Sequence, residues 1–421
     1  MEWWAILSIG IAILVALFLT GAPIFLAFLI IIISGVVLTF GDAAFGMVVN
    51  SMFDTGTTAS LGTVPLFVLL GEILFRSGSM EVLLDSIDKL VGKIRGRAYV
   101  LSISLSTVLG ALSGSGIAVA AMLGRSLLPM MRGRGYDTKL SIGTILAGAC
   151  LAPIIPPSIL AIIVGTLADV SIAALYVTAC LVRVRIDPRL APEDEEVEKV
   201  DFVGKLKAIA GLLPFSIIIF MVMGLIMLGI ATPSESAATG VLGAILTAAY
   251  YRKLSWRMLY EATGEAALLA AVILLILASA VMFTQLLAFT GATRALTEVV
   301  TGMNVPAWFM FFLMMLLPFI LCMFIDQLGL MLVIIPIYLP IIKALEFDPV
   351  WFWLLFLLNI TLGAITPPFG YIMFAVKGAA QDVPMGEIFN ASWLFVILTL
   401  IGMVLMSVFP GIVTTLPTLV Q

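Results

Sequence analysis

The chain has 421 residues and lacks histidine, the most frequent general base and metal ligand in proteins. Its cysteines, Cys150, Cys180 and Cys322, lie far apart in apolar sequence, so they predict neither a disulfide framework nor a metal site. A G-x-x-x-x-G-K-[ST] pattern is absent, which excludes nucleotide hydrolysis by a P-loop. Paired catalytic carboxylates are missing as well. We therefore expect that the protein is not an enzyme.

Charge is also scarce. Charged residues make up 11% of the chain, whereas a soluble domain carries about 25%. Hydrophobic residues make up 62%, and the mean hydropathy is +1.22. The apolar runs are long and continuous, so they predict an all-α polytopic membrane protein with room for about ten crossings of about 20 residues each.

Lysine and arginine set the predicted orientation, because cytoplasmic loops are enriched in both. Most of them lie in loops 89–97, 132–139, 183–207 and 252–257 and at Lys377. Placing these loops in the cytoplasm leaves both termini on the periplasmic side. The N-terminus, with Trp3 and Trp4, is predicted to be a first span with interfacial aromatic residues rather than a removable signal peptide.

Two apolar stretches in the first half are interrupted. Residues 98–131 are broken by Ser113-Gly114-Ser115-Gly116, which leaves arms of about 15 residues, too short to cross about 30 Å of hydrocarbon. A re-entrant helical hairpin fits them better. Residues 140–168 are broken by Pro156-Pro157, because each proline removes a backbone N–H group. At membrane depth such breaks are tolerated where they line a cavity or bind a ligand.

The second half repeats these landmarks. A shift of 211 residues places Pro129 on Pro340, Asp137 on Asp348, and Pro156-Pro157 on Pro367-Pro368. Under the charge-based orientation the two halves have opposite directions, so they are predicted to be inverted repeats. Inverted repeats with discontinuous helices are typical of secondary transporters, which bind their substrates near the midplane at the breaks.

This comparison divides the chain into predicted segments. They are N-terminal scaffold helices (1–62), a first repeat (63–182) with hairpin 98–131 and broken helix 140–168, a cytoplasmic linker (183–207), scaffold helices (208–257), a second repeat (258–387) with hairpin 306–342 and broken helix 350–376, and a C-terminal helix (388–421).

Asp326 is the only carboxylate between Val299 and Leu345, and the shift pairs it with Ser115. An ionisable residue inside a membrane segment indicates function, although Asp326 and Ser115 could each simply cap a helix. Hydroxyl, carbonyl and carboxylate oxygens suit a hard cation, for which sodium is the best candidate. Helix N-termini at the two hairpin tips suit an anionic substrate group.

Several motifs resemble the large membrane (M) subunit of the tripartite ATP-independent periplasmic (TRAP) transporters, in the ion transporter superfamily. They are Ser113–Gly116, Leu128–Asp137, Ile155–Ser158, Gly229–Glu235 and Ile365–Gly370. The resemblance covers nearly the whole chain. It implies an elevator-type transporter of the bacterial inner membrane, in which a scaffold holds a mobile transport domain built from two hairpins and two broken helices.

The resemblance also implies sodium symport of an organic acid, such as a C4-dicarboxylate or sialic acid. A small four-helix membrane subunit (Q) and a periplasmic substrate-binding protein (P) would be the partners. The predicted sodium ligands are Ser113, Gly114, Ser115, Gly116, Pro153, Pro156, Pro157, Asp326, Gly329, Thr361, Thr366, Pro367 and Pro368. The predicted substrate-binding residues are Ser113, Ser115, Ser158, Asp326, Gln327 and Gly370.

A different class of function, a passive channel or an assembly subunit, is the alternative, because discontinuous helices also occur in pores. Dependence on a soluble binding protein and gradient-driven accumulation distinguish the transporter from it. An intramembrane enzyme has little support, because no G-x-S-x-G motif surrounds Ser113 or Ser115.

Overall fold

A computed structural model of the chain describes residues 24–40, 63–77, 80–91, 96–113, 115–154, 202–303, 305–324 and 327–411, with scattered positions between 9 and 57. Within these ranges all regular structure is helical. The predictions made for residues 155–201, including most of the linker 183–207, lie outside the described residues.

The described helices follow one another in two similar series. They are α1 (Ile24–Phe40), α2 (Thr63–Arg76), α3 (Met80–Val91), α4 (Arg97–Ser113), α5 (Gly116–Gly133), α6 (Thr138–Leu151), α7 (Phe202–Ile219), α8 (Pro233–Tyr250), α9 (Trp256–Phe289), α10 (Ala292–Gly302), α11 (Ala307–Cys322), α12 (Gln327–Ala344), α13 (Pro349–Gly363), α14 (Tyr371–Ala379) and α15 (Met385–Val408). A π-helical turn, Phe220–Gly224, and a three-residue α-helix, Leu225–Met227, follow α7.

Two helix pairs form hairpins. In hairpin 1, α4 packs against α5, and the backbone N–H of Ala98 donates to the hydroxyl of Tyr136 at 3.4 Å, so both arms meet at one end, the base. In hairpin 2, α11 packs against α12, and Phe311 stacks on Trp351 with ring centroids 4.6 Å apart at its base. The arms have 16 to 18 residues, or about 25 Å of helix, which is short for a full crossing.

The helix boundaries recur at the spacing found in the sequence. Helices α5 and α12 begin at residues 116 and 327 and end at 133 and 344, and α6 and α13 begin at 138 and 349. Asp137 and Asp348 occupy the same position in the two series. Each caps the following helix, accepting the backbone N–H of Leu140 at 2.8 Å and of Trp351 at 3.0 Å. The aspartate repeat is therefore a helix-start signal.

Helices α13 and α14 form broken helix 2, which connects the bases of the two hairpins. It begins at the base of hairpin 2, where Trp351 lies against Phe311. Its end is followed by Asp382, whose carboxylate binds Arg132 at the base of hairpin 1, with Nη1 and Oδ2 2.6 Å apart. Broken helix 2 thus passes from one base to the other.

The core of the molecule surrounds α6 and α13. Every residue of α6 from Leu140 to Leu151 is buried, as are residues 352–363 of α13. Peripheral helices expose large apolar side chains, such as Ile217, Leu268 and Ile397. Among the described residues, Trp256–Leu275 and Met385–Val408 are long and apolar enough to cross a membrane. The helices at the centre are shorter because they end at breaks or hairpin tips.

The helices α2, α8 and α9 are held together at both ends of α2. At its start the hydroxyls of Thr63 and Ser234 lie 2.9 Å apart. At its end Arg76 binds Glu72 of its own helix at 3.0 Å and Glu261 of α9 at 3.2 Å. These contacts join the first helix of the first repeat to the first helix of the second.

The amphipathic helix α3 links the peripheral helix α7 to α4 of hairpin 1. Ser86 of α3 packs so closely on Gly211 of α7 that a Cβ atom there would collide with its hydroxyl. At the other side Arg97, the first residue of α4, places Nη2 2.9 Å from Oδ1 of Asp88 and also donates to the Asp88 carbonyl. Gly96, with φ +86°, makes the turn that brings these residues together.

The ion pair at this joint is largely buried, with side-chain exposures of 6% for Arg97 and 22% for Asp88. Asp88→Asn removes the charge that compensates the buried guanidinium, so we expect a loss of about 2 kcal/mol and a lower thermal midpoint for the purified protein. Asp85→Asn, which breaks the exposed Lys89–Asp85 pair on the same helix, is the matched control. Equal midpoints for the two variants contradict this account.

Candidate functional site

The predicted site residues fall into two groups. Those within the described residues are Ser115, Gly116, Pro153, Gln327, Gly329, Thr361, Thr366, Pro367, Pro368 and Gly370, and Ser113 ends α4. Gly114, Pro156, Pro157, Ser158 and Asp326 lie outside the described residues, so their roles stay predictions. The described residues place both hairpin tips against the C-terminal ends of α6 and α13.

The tip of hairpin 1 is built by Ser115 and Gly116. Ser115 is the N-cap of α5, and its hydroxyl accepts the backbone N–H of Ala118 at 3.3 Å. A Cβ atom on Gly116 would lie 2.6 Å from the Ala149 carbonyl oxygen and 3.1 Å from Cδ1 of Ile372. Glycine therefore lets the start of α5 contact α6 and, in the other repeat, α14.

The tip of hairpin 2 makes the corresponding contact with a different residue. Gln327, the first residue of α12, is buried, and its side-chain Nε2 donates to the Ile360 carbonyl at 3.5 Å. Residues 149 and 360 are separated by the same 211 positions as 116 and 327. The two tips therefore contact the backbone carbonyl at equivalent positions of α6 and α13. The contact is made by the backbone of Gly116 in the first repeat and by the side-chain amide of Gln327 in the second.

A second pair of positions repeats this difference. Gly148 of α6 packs closely on the Ser106 side chain of α4. Its counterpart Asn359 of α13 donates its side-chain amide to the Met315 carbonyl of α11 at 2.6 Å. The first repeat therefore packs its helices more closely, while the second uses buried amides as polar spacers between helix backbones.

The break between α13 and α14 is held by backbone contacts. Gly370 has φ +35°, and its N–H donates at 3.2 Å to the carbonyl of Met323, which follows α11 at the tip of hairpin 2. A Cβ atom there would lie 3.0 Å from the Thr366 carbonyl oxygen. The peptide bond between Pro367 and Pro368 is cis. This break and the tip of hairpin 2 therefore form one connected unit.

The two threonines of this region direct their hydroxyl protons to their own helix. Thr361 donates to the Leu358 carbonyl at 2.8 Å and Thr366 to the Leu362 carbonyl at 2.7 Å. Because a hydroxyl has two lone pairs, each oxygen retains the capacity to ligate a cation. Both side chains are buried.

The two broken helices touch each other at equivalent positions. Cys150 of α6 and Thr361 of α13 are again 211 residues apart, and their side chains are neighbours. Residues related by the repeat that contact one another mark where the two halves meet. This meeting point lies one residue from the carbonyls of Ala149 and Ile360, which the tips contact.

Helices α5 and α14 begin side by side, since Ile372 in the first turn of α14 lies beside Gly116. Two helix N-termini with their positive dipole ends therefore converge with the C-terminal ends of α6 and α13. Such an arrangement offers N–H groups to an anion and carbonyl and hydroxyl oxygens to a hard cation within one buried region.

Comparison with known proteins agrees with this architecture. The family model of the tripartite ATP-independent periplasmic transporter, DctM component, matches residues 11–412. The chain belongs to this family. The resemblance inferred from the motifs is thereby confirmed.

Three curated members illustrate the family. A large permease of a Ruegeria pomeroyi ectoine/5-hydroxyectoine TRAP transporter is 26% identical over 95% of this chain and 96% of its own length. A C4-dicarboxylate TRAP transporter large permease of Pseudomonas aeruginosa is 24% identical over 87% and 88%. A sialic acid TRAP transporter permease of Haemophilus influenzae is 27% identical over 85% of this chain and 59% of its own length.

Among solved structures, the YdaH transporter of Alcanivorax borkumensis resembles this DctM component with a TM-score of 0.61 at 16% identity, over 89% of each chain. This likeness concerns the fold. The family match makes the chain a TRAP transporter permease component, and its described residues have the helical architecture of a polytopic membrane protein.

Sequence reasoning missed which residues of α6, α13 and α14 the hairpin tips contact. It named glycines and prolines at the expected breaks, whose roles stay predictions, but not the carbonyls of Ala149 and Ile360 or the side chain of Ile372. The 211-residue shift contained a usable signal, because it pairs Gly116 with Gln327 and Gly148 with Asn359, and in both pairs an amide replaces a glycine.

Two glycine substitutions test this geometry. Gly116→Ala places a methyl group 2.6 Å from the Ala149 carbonyl, and Gly370→Ala adds one where φ is +35° and the Thr366 carbonyl is 3.0 Å away, so we expect both to reduce uptake at least about tenfold. Substrate uptake in reconstituted liposomes is the measurement.

The matched controls are Gly133→Ala and Gly378→Ala, because a Cβ atom at either glycine has no neighbour within 4 Å. Wild-type uptake is expected for both. If Gly116→Ala or Gly370→Ala transports as well as its control, the close approach is not required.

Proposed function

We propose that this chain is the large transmembrane subunit of a sodium-coupled, binding-protein-dependent TRAP transporter that imports an organic acid by an elevator mechanism. The observation that carries the proposal is that both hairpin tips lie against the C-terminal ends of α6 and α13, beside the start of α14. A secondary transporter with discontinuous helices binds its ions and substrate at such a place.

The path of broken helix 2 supports an inverted arrangement of the repeats. It starts beside Phe311 at the base of hairpin 2 and ends beside Arg132 at the base of hairpin 1. A helix that crosses the membrane between the two bases puts them on opposite sides. Two re-entrant hairpins that enter from opposite sides and meet at their tips give alternating access to one central site.

The donor chemistry supports sodium as the coupling ion. The described part of the site offers hydroxyl oxygens of Ser115, Thr361 and Thr366, together with carbonyls at the helix ends, and no soft ligand is needed. In the described residues no group of three or more His, Cys, Asp or Glu side chains could hold a transition metal. With Asp326 at the second tip, oxygen ligands from both repeats bind sodium in our proposal.

The substrate class is inferred from chemistry shared by the relatives. Their names specify ectoine, C4-dicarboxylate and sialic acid, and each of these compounds carries a carboxylate. The N-termini of α5 and α14, which begin side by side, suit a carboxylate group of the substrate. A C4-dicarboxylate, sialic acid or a similar carboxylate is therefore the proposed cargo.

The proposed partners are a small four-helix membrane subunit and a periplasmic binding protein that delivers the substrate. The names of the relatives describe large permease proteins of TRAP systems, and the family is tripartite. The proposed location is the inner membrane of a bacterium, with both termini on the periplasmic side. In the elevator cycle the hairpins and broken helices move against the peripheral helices α2, α8 and α9.

Sodium coupling is tested by reconstitution of the complete transporter with its partner subunits. We expect an inward sodium gradient to drive accumulation of the substrate above its external concentration, and collapse of the gradient to abolish accumulation. Uptake at the same rate with and without the gradient refutes the coupling. Saturation and a requirement for the binding protein separate a transporter from a channel.

Asp326 is tested in the same liposomes. Asp326→Ala removes the only carboxylate of the second hairpin region, so we expect sodium-driven uptake to fall to background while the subunits still assemble. Glu346→Gln, which alters an exposed carboxylate beyond the end of α12, is the control and should transport normally. Normal uptake by the Asp326 variant refutes its assigned role.

A further inference from the structure

Helices α5 and α14 belong to different repeats and lie side by side from tip to base. They touch at three levels. Gly116 faces Ile372, Gly124 faces Ala379, and Arg132 binds Asp382. The α5 residues are spaced by eight positions, or about 12 Å of helix. Helix α5 starts at the tip of hairpin 1 and α14 starts at the break after α13, and both run toward the base of hairpin 1.

At the top level the Ile372 side chain packs against Gly116. The middle level offers little to fix how the helices are placed along their common direction, because Gly124 has no side chain and a Cβ atom on it would lie 2.8 Å from the Cβ of Ala379. Small residues allow close approach of the backbones. Register between helices depends on side chains that insert between neighbours, and glycine facing alanine supplies few of them.

The third level, the Arg132–Asp382 pair, holds the two elements in one defined geometry. Nη1 of Arg132 donates to Oδ2 of Asp382 at 2.6 Å in a charge-assisted hydrogen bond. The turn that holds Asp382 is itself fixed, because Lys377 donates to the carbonyls of Gln381 at 2.7 Å and Val383 at 2.8 Å. The hydrogen bond from Arg132 lowers the pKa of Asp382, so the carboxylate is ionised at neutral pH.

We infer that Arg132 and Asp382 are positioning residues, which set the register of α5 against α14 and thereby the spacing of the two helix N-termini at the site. The pair lies about 24 Å along α5 from the tip at Gly116, so neither residue touches the ion. A shift at the base moves the start of α14 relative to Ser115 and Gly116. The pair therefore controls the apparent affinity for sodium, an inference that rests on the proposed sodium coupling.

The first test measures uptake against sodium concentration in liposomes with the complete transporter. Asp382→Asn and Arg132→Gln are expected to raise the half-saturating sodium concentration about two- to fivefold, the range of an exposed ion pair, with little change in maximal rate. The reversed pair R132D/D382R is expected to recover most of the affinity. Glu298→Gln, which breaks the exposed Arg294–Glu298 pair on α10, is expected to behave as wild type.

A second test measures the register without sodium transport. Spin labels at I117C and F374C, two exposed positions near the starts of α5 and α14, report the distance between the helices in a variant whose own cysteines are replaced. We expect Asp382→Asn to shift or broaden this distance and the reversed pair to restore it.

The outcomes separate the two proposals. An unchanged label distance in Asp382→Asn overturns the positioning role whatever the transport data show. A changed distance with an unaltered half-saturating sodium concentration, or a loss of maximal rate alone, overturns the link to the ion site. Wild-type transport that ignores sodium refutes the proposed coupling and this link together, while the label distances still report on the register.

Discussion

The contact of a helix start with a backbone carbonyl is the constraint on which the site depends. At Gly116 the approach to the Ala149 carbonyl is so close that any side chain would collide. Because this contact also includes Ile372, it holds a hairpin tip, a broken helix of its own repeat and a half-helix of the other repeat together. The other features of the site are arranged around that junction.

The two repeats solve this docking problem with different chemistry. Gly116 and Gly148 in the first repeat are replaced by Gln327 and Asn359 in the second, and both amides bind main-chain carbonyls. An amide holds the backbones farther apart while it satisfies a buried carbonyl, which in an apolar environment is costly to leave unpaired. The fold is therefore repeated while the packing of its tips is not.

Sequence reasoning predicted an all-helical chain, and the regular structure of the described residues is helical. Hairpins are predicted at 98–131 and 306–342, and the structure has α4 and α5 over 97–133 and α11 and α12 over 307–344. The predicted break at Pro156-Pro157 lies outside the described residues. Helix ends differ by one or two residues because caps such as Asp137 and Asp348 set them. The predicted division into scaffold and mobile parts stays a prediction, since a single structure contains no movement.

The candidate site was only partly predictable. Ser115 and Gly370 were recognisable as a helix start and as a glycine beside a proline pair, because both leave local patterns in the chain, while their binding roles stay predictions. The docking carbonyls of Ala149 and Ile360 were not, because every residue has a carbonyl and its identity carries no signal. Likewise, nothing near Arg132 in the chain points to Asp382, 250 positions away.

The sequence by itself determined the membrane class, the family motifs, the order of helices and the 211-residue repeat, because these follow from composition and from patterns along the chain. The tertiary structure decided which helix turns of the two halves meet. Cys150 meets Thr361, Gly116 meets Ile372, and Arg132 meets Asp382. These contacts depend on how whole helices pack, and packing is a property of the assembled backbone rather than of any local pattern.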